Sequence, residues 1–187
     1  MNLNDLPGRI FLDTSVVNFI LEYAEQIHDG ADSPPGLGQR RLQDIDALYN
    51  IFLTGQRADW QMAVSPFTYY EVAHTADPTK QRRLAQWFVE LWDHWVGIVE
   101  SDDSLPTLIE AERIRTSLLT GHALDVLPDI NDRILLVDSL VYRCDCFCTR
   151  DWTTILSNRD KLDQVRTLIL TPSELWARIR PYAGLWA

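Results

Sequence analysis

Four carboxylates stand where an α/β protein keeps its chemistry. Asp132 lies in the first turn of a segment whose apolar residues Ile134, Leu135, Val137, Leu140 and Val141 recur at helical spacing. A carboxylate there suits the partial positive charge of a helix N-terminus. Asp151 follows the short apolar strand Cys146-Phe147-Cys148 and the pair Thr149-Arg150, and residues just past a strand's C-terminal end line the ligand crevice of an open α/β sheet. Asp13 ends the buried run RIFLD, residues 9–13, in the same way. Glu71 falls in the second turn of a helix opened by Ser65-Pro66, Ser being a good N-cap and Pro favoured at the first helical position. Such acids can converge, and several carboxylates within a few ångströms cannot all stay ionised unless a cation compensates them. An oxygen-only set without histidine or thiolate suits Mg²⁺ or Mn²⁺. The chemistry this permits is metal-assisted hydrolysis of a phosphodiester, the ion activating water and offsetting charge on the phosphate.

The elements that must position these acids follow from periodicity and punctuation. After the strand 9–13, Thr14-Ser15 can cap a helix from Val16 to about Gln26. Residues 28–38, dense in Gly, Pro, Asp and Ser, read as a surface loop. A helix is expected over 39–56, a strand over 61–64, and a Trp-rich amphipathic helix from 79 to 95, after Asp77-Pro78, with Leu84, Trp87, Phe88, Leu91, Trp92 and Trp95 on its apolar side. Gly97-Ile98-Val99-Glu100 reads as a further strand and 104–120 as a helix. Val165 to Leu170 form the last strand, and Thr171-Pro172-Ser173-Glu174 is a capping box with an N1 proline. Five strands alternating with helices imply parallel pairing through right-handed crossovers: a three-layer α/β/α fold around a five-stranded, mostly parallel sheet with helices on both faces.

Length and composition set the bounds. A chain of 187 residues that is 46% hydrophobic reads as a single domain over 1–187 with an ordinary core. Neither a membrane span nor a secretory signal is expected, which points to the cytoplasm. Three cysteines, Cys144, Cys146 and Cys148, are odd in number and fit a reducing compartment as small buried hydrophobes rather than zinc ligands. His28, His74, His94 and His122 are scattered without a ligand spacing. The net charge of 17 − 27 = −10 argues against an indiscriminate nucleic-acid binder, since such binding rests on Lys and Arg. It does not exclude a nuclease, whose bound cation supplies the missing positive field.

Taken together, these stretches resemble the PIN-domain nucleases, above all the small toxin ribonucleases of bacterial toxin–antitoxin pairs. RIFLDTSVVNFI is similar to the family's first motif, VSPFTYYEV to its second, and NDRILLVDSLVYRCDCFCTRD to its third and fourth, covering nearly the whole chain. The resemblance implies a Mg²⁺- or Mn²⁺-dependent endoribonuclease in which Asp13, Glu71, Asp132 and Asp151 hold the metal. Thr14 or Ser15 would be hydroxyl partners, Asn18 a polar residue one helical turn on, and Thr149 a further site residue. It also implies a homodimer, for which helix 79–95 is one candidate face, and a cognate antitoxin protein. Two departures stand out. Arg133 follows the third acid where the family has a small residue, and could reach a phosphate or sit as a surface charge. The acidic balance leaves substrate affinity to a few arginines such as Arg40, Arg41, Arg82, Arg83 and Arg150.

Other readings start from the same residues. An Asp at the end of one strand often serves only as a cap or turn former. Asp138 is the rival to Asp132 in the third position, but six residues along a helix it points to another face and reads as a solvated or salt-bridged charge. Asp129 could be the helix N-cap, leaving Asp132 free to turn inward. Trp152, beside Asp151, could stack on a base. A haloacid-dehalogenase-type phosphatase would want an Asp at position 15, where Ser15 stands, and a metal-dependent adhesion site a serine at position 17, where Val17 stands. A degenerate relative that binds RNA or protein without cutting, or a nuclease acting on structured DNA, would share the same elements.

Overall fold

The structure, a computed structural model, describes residues 6–73, 78–122, 124–162 and 165–186. His74, Asp77 and the side chains of Arg83 and Leu84 lie outside the described residues. In chain order the elements are β1 (Arg9–Leu12), α1 (Thr14–Glu22), α2 (Ala24–His28), α3 (Gln39–Ala58), β2 (Gln61–Ala63), α4 (Pro66–Ala73) and α5 (Pro78–Ser101). There follow α6 (Leu108–Leu119), α7 (Ile130–Val141), β3 (Cys146–Cys148), α8 (Ile155–Asn158), β4 (Leu168–Leu170) and α9 (Pro172–Ile179). The strands form one sheet in the order β2-β1-β3-β4, every pair parallel.

The sheet has four strands among the described residues rather than the five expected. Residues 97–100 belong to the end of α5. Phe88, Trp95 and Val99 are all buried at i, i+7 and i+11, so the helical stripe runs straight through Gly97. The cost of that glycine, about 1 kcal/mol, is outweighed by burying the Trp95 and Val99 side chains. The same stripe packs Trp87, Leu91 and Trp92, each partly buried, against the chain's own core. The expected helix Val16–Gln26 is broken at Tyr23 into α1 and α2, and the last strand is shorter than expected, beginning at Leu168.

Burial shows why the sheet is a middle layer. All three residues of β3 are buried, and since successive strand residues face opposite sides, both faces are covered. Phe11 and Phe147, paired in register, stack at 5.3 Å between centroids. One group of helices packs α3 on α2 and α9; another packs α4 on α5 and α7, and α6 on α7. The expected capping box of α9 is present, Thr171 accepting from Glu174 N and Glu174 accepting from Thr171 N. A second caps α6 through Thr107 and Glu110.

Parallel pairing has one consequence for chemistry. All four strands end at the same edge, and β1 connects outward to β2 while β3 connects the opposite way to β4. The crevice at a β1/β3 reversal of this kind is where open α/β sheets bind ligands.

Candidate functional site

Each of the four acids reaches that edge by a different route. Asp13 is the residue after β1, its N–H donating to Cys148 O at 3.0 Å. It takes the N-cap position of α1 that Thr14-Ser15 was expected to fill, yet its carboxylate caps no backbone N–H. Instead Asp13 Oδ2 accepts from Ser15 Oγ at 2.5 Å and Thr149 Oγ1 at 2.6 Å. Asp151 lies three residues beyond β3. Glu71 sits on α4, which starts from the end of β2. Helix α7 runs back against the strands to lead into β3, so its N-terminus, with Asp132, lies at the C-terminal edge of the sheet. Asp129 caps α7 by accepting from Asn131 N at 2.9 Å, which leaves the Asp132 side chain free of capping.

The acids sense one another. Burial pushes the Asp13 carboxyl up to about 6, with Ser15 and Thr149 pulling it back and the charges of Glu71 and Asp151 raising it further. Burial likewise raises Asp132 to about 6; Thr154 offsets part of this, and Asp151, Asp13 and Asp129 add to it. Glu71 is raised by burial and by Asp132 and Asp129, against the Thr14 hydroxyl. Asp151 moves the other way. Burial works against its charge, but hydrogen bonds from Thr154 and Thr153 outweigh it. Asp151 Oδ1 accepts from Thr153 N (2.8 Å), Thr153 Oγ1 (2.7 Å) and Thr154 N (3.0 Å), and Thr154 Oγ1 donates to Oδ2.

The four expected acids are therefore brought to one place, though not on equal terms. Asp151 is engaged as a turn former, whereas both bonds to Asp13 fall on Oδ2 and leave Oδ1 unbonded among the described residues. No ion pair links any of the four to Arg or Lys among the described residues. Among the described residues no group of three or more Asp, Glu, His or Cys side chains is placed so that it could hold a metal ion. The donor chemistry fits a hard cation that keeps its own waters, for which one or two carboxylates suffice. Asn18 lies on α1, one turn past Thr14 and Ser15, and its Oδ1 is buried without a partner among the described residues.

The supporting shell is only partly as expected. Thr149, buried, donates to Asp13 and accepts from Asp151 N at 3.0 Å, tying the two acids together. Ser15 accepts from Arg150 N at 2.9 Å. Thr14 donates to Thr68 at 3.3 Å. Thr153 and Thr154, absent from the sequence reading, hold Asp151; the signal was present as Asp-x-Thr-Thr, a side-chain-to-backbone turn pattern. Comparison with protein-family models, with curated proteins and with solved structures returned no match.

Several arginines expected to meet a phosphate are engaged elsewhere. Arg133 donates to Leu127 O at 2.6 Å and Asp125 at 2.8 Å. Arg150 pairs with buried Asp44 at 2.8 Å and lies over the Phe19 ring at 3.5 Å. Arg41 donates to the Tyr23 hydroxyl at 3.1 Å. Asp138, the rival acid, is salt-bridged, one of the two readings given to it, and fully buried rather than solvated. It accepts from Arg115 Nε at 2.5 Å and from Ser65 Oγ, on a face of α7 turned away from Asp132. The three cysteines are buried and free, their thiols pushed up by burial. Two clefts of about 520 and 570 Å³ lie away from the acids, one beside β4 and α9 and the other beside α6.

Proposed function

We propose that the chain is a PIN-type endoribonuclease that hydrolyses RNA phosphodiester bonds with Mg²⁺ or Mn²⁺ held among Asp13, Glu71, Asp132 and Asp151. One observation carries this reading. Four acids from four segments meet at the reversal point of the sheet with no cationic partner among the described residues, whereas the other two buried aspartates there, Asp44 and Asp138, each have an arginine. Acids gathered at that energetic cost, on the ligand-binding edge, are explained by an external cation.

When bound, the ion supplies Lewis acidity at the scissile phosphate and makes water a competent nucleophile at neutral pH. The chain's own residues do the positioning. Ser15 and Thr149 fix Asp13 through Oδ2 and keep Oδ1 available. Thr154 donates to Asp151 and, with Thr153, holds that carboxylate in place. Thr14, whose hydroxyl donates to Thr68, lies near enough to Glu71 to lower its carboxyl. The likeness to toxin ribonucleases adds a homodimer and an antitoxin partner, checked by sedimentation of the chain alone and with the product of any small reading frame just upstream.

The test is cleavage of a mixed, end-labelled RNA pool with Mg²⁺, Mn²⁺ or EDTA, beside Asp132→Asn prepared identically. Metal-dependent cutting by the wild type alone is expected. Equal cutting by both proteins would assign the activity to a contaminant and sink the proposal. Binding of Mn²⁺ with no cutting of RNA would turn the reading toward DNA, and no binding and no cutting toward a non-catalytic module.

A further inference from the structure

Beside the acids, the tip that carries Asp151 presents an exposed aromatic side chain. Trp152 is 44% exposed although it is among the largest apolar side chains. Its backbone is not loose. The Asp151 carboxylate reaches over Trp152 to accept from Thr153 N and Thr154 N, which fixes the turn that carries the indole. Helix α3 grips the same tip at two points one helical turn apart: Asp44 pairs with Arg150, and the Arg40 guanidinium lies 4.1 Å from the Trp152 ring centroid. Arg40 makes no salt bridge among the described residues, so its charge remains available.

We infer that Trp152 and Arg40 form a stacking platform for one unpaired nucleobase flanking the phosphate held at the acids. This rests on the nuclease reading and gives it a substrate class, single-stranded RNA. The chemistry favours it on two counts. With a net charge of −10 and Arg133 and Arg150 engaged internally, phosphate neutralisation alone gives a weak hold. Stacking on an aromatic face gains affinity without net charge and tolerates any base. The indole offers its surface beside Asp151, and the guanidinium on it adds a cation–π contact and a charge for the flanking phosphate. A base can reach such a surface only when it is out of a duplex, so the platform selects unpaired strands.

Fluorescence anisotropy with labelled RNA tests the platform in the Asp132→Asn background with Mg²⁺, which separates binding from cleavage. An eight-nucleotide single strand, the same strand annealed to its complement, and a single-stranded DNA of the same sequence are the probes. Trp152→Ala is expected to weaken single-strand binding about tenfold, and Trp152→Phe to restore most of it. Arg40→Ala should weaken binding less and make it less sensitive to salt. Duplex binding should be weaker from the start and unchanged by Trp152→Ala. Equal binding of the single strand by the parent and both Trp152 variants overturns the platform and leaves the nuclease reading standing. Failure of the parent to bind RNA while it binds the DNA strand, or neither strand, overturns the RNA reading and the platform's assignment to RNA with it.

Discussion

Helix α7 carries two aspartates six residues apart that solve the problem of a buried negative charge in opposite ways. Asp138 is wholly enclosed, but Arg115 meets it at 2.5 Å and Ser65 donates a second bond. Burial pushes its carboxyl up and these two partners pull it back. Through them Asp138 joins α7 to α6 and to the start of α4, since Ser65 also accepts from Phe67 N at 3.1 Å. Asp132 is only half-buried, yet its carboxyl is raised to about 6 and its neighbours are other acids. A charge that folding must keep is supplied with its counter-charge in the same chain. A charge left among its own kind stores unfavourable energy until something else supplies the cation.

The sharpest break of this contrast comes from removing the counter-charge. Arg115→Ala leaves Asp138 buried and unpaired, and the expected loss is about 3–5 kcal/mol of unfolding free energy. In a chain of this size that is a fall in melting temperature of about 6–20 °C, read by thermal melting. A change below 1 kcal/mol would show that the Asp138 network is ornamental. The opposite substitution should do the opposite. Asp13→Asn removes a charge that burial and neighbouring acids penalise while keeping an oxygen to accept from Ser15 and Thr149. Its carboxyl stands at about 6 against an ordinary 3.8, so at pH 7 and without metal the variant should be more stable by about 1–3 kcal/mol. The sign follows from proton binding. A carboxyl raised by folding binds protons preferentially in the folded state, so its contribution is fully present below about pH 4 and is lost as pH rises through about 6. Metal-free wild type should therefore lose stability across that window, and Asp13→Asn should lose less. Urea titrations at pH 4.5, 6 and 7.5 read both, and an Asp13→Asn protein less stable than wild type at pH 7.5 would break the contrast from its other side.

How much of this was legible in the sequence differs between the two sites. The four acids could be placed because each is tied to a local landmark: Asp13 and Asp151 to the ends of apolar runs, Glu71 to the Ser65-Pro66 start, Asp132 to the onset of helical spacing. Parallel pairing then carries all four to one edge. The partner of Asp138 could not be read, because Arg115 lies 23 residues away on another helix and nothing local marks the pairing. For the same reason Arg150 looked free for phosphate, its acceptor Asp44 lying far off on α3, whereas Arg133 folds back on Leu127 O and Asp125 in the segment just before α7, whose path carries no periodic signal. The missing fifth strand has a different cause. Ile98-Val99 is β-branched and follows a glycine, a local strand signal, yet the longer apolar period from Phe88 to Val99 prevails because it buries Trp95.

The smallest of the expected effects sharpens the contrast most. Mg²⁺ or Mn²⁺ at ten to thirty times its dissociation constant should stabilise the wild type by about 1–2 kcal/mol, measured as a shift in melting temperature at pH 7.5. The gain should shrink below about pH 6, because protons and the cation compete for Asp13 and Asp132. In Asp13→Asn the gain should be largely lost although that protein starts out more stable. Arg115→Ala should keep the gain although it starts out less stable, because its damage lies on the other face of α7. This crossing of baseline and increment is hard to obtain from general salt effects, which would move all three proteins alike. An equal metal shift in Asp13→Asn would place the cation elsewhere on this acidic surface. The acids at the sheet edge would then be left with an electrostatic cost and no ligand to account for it.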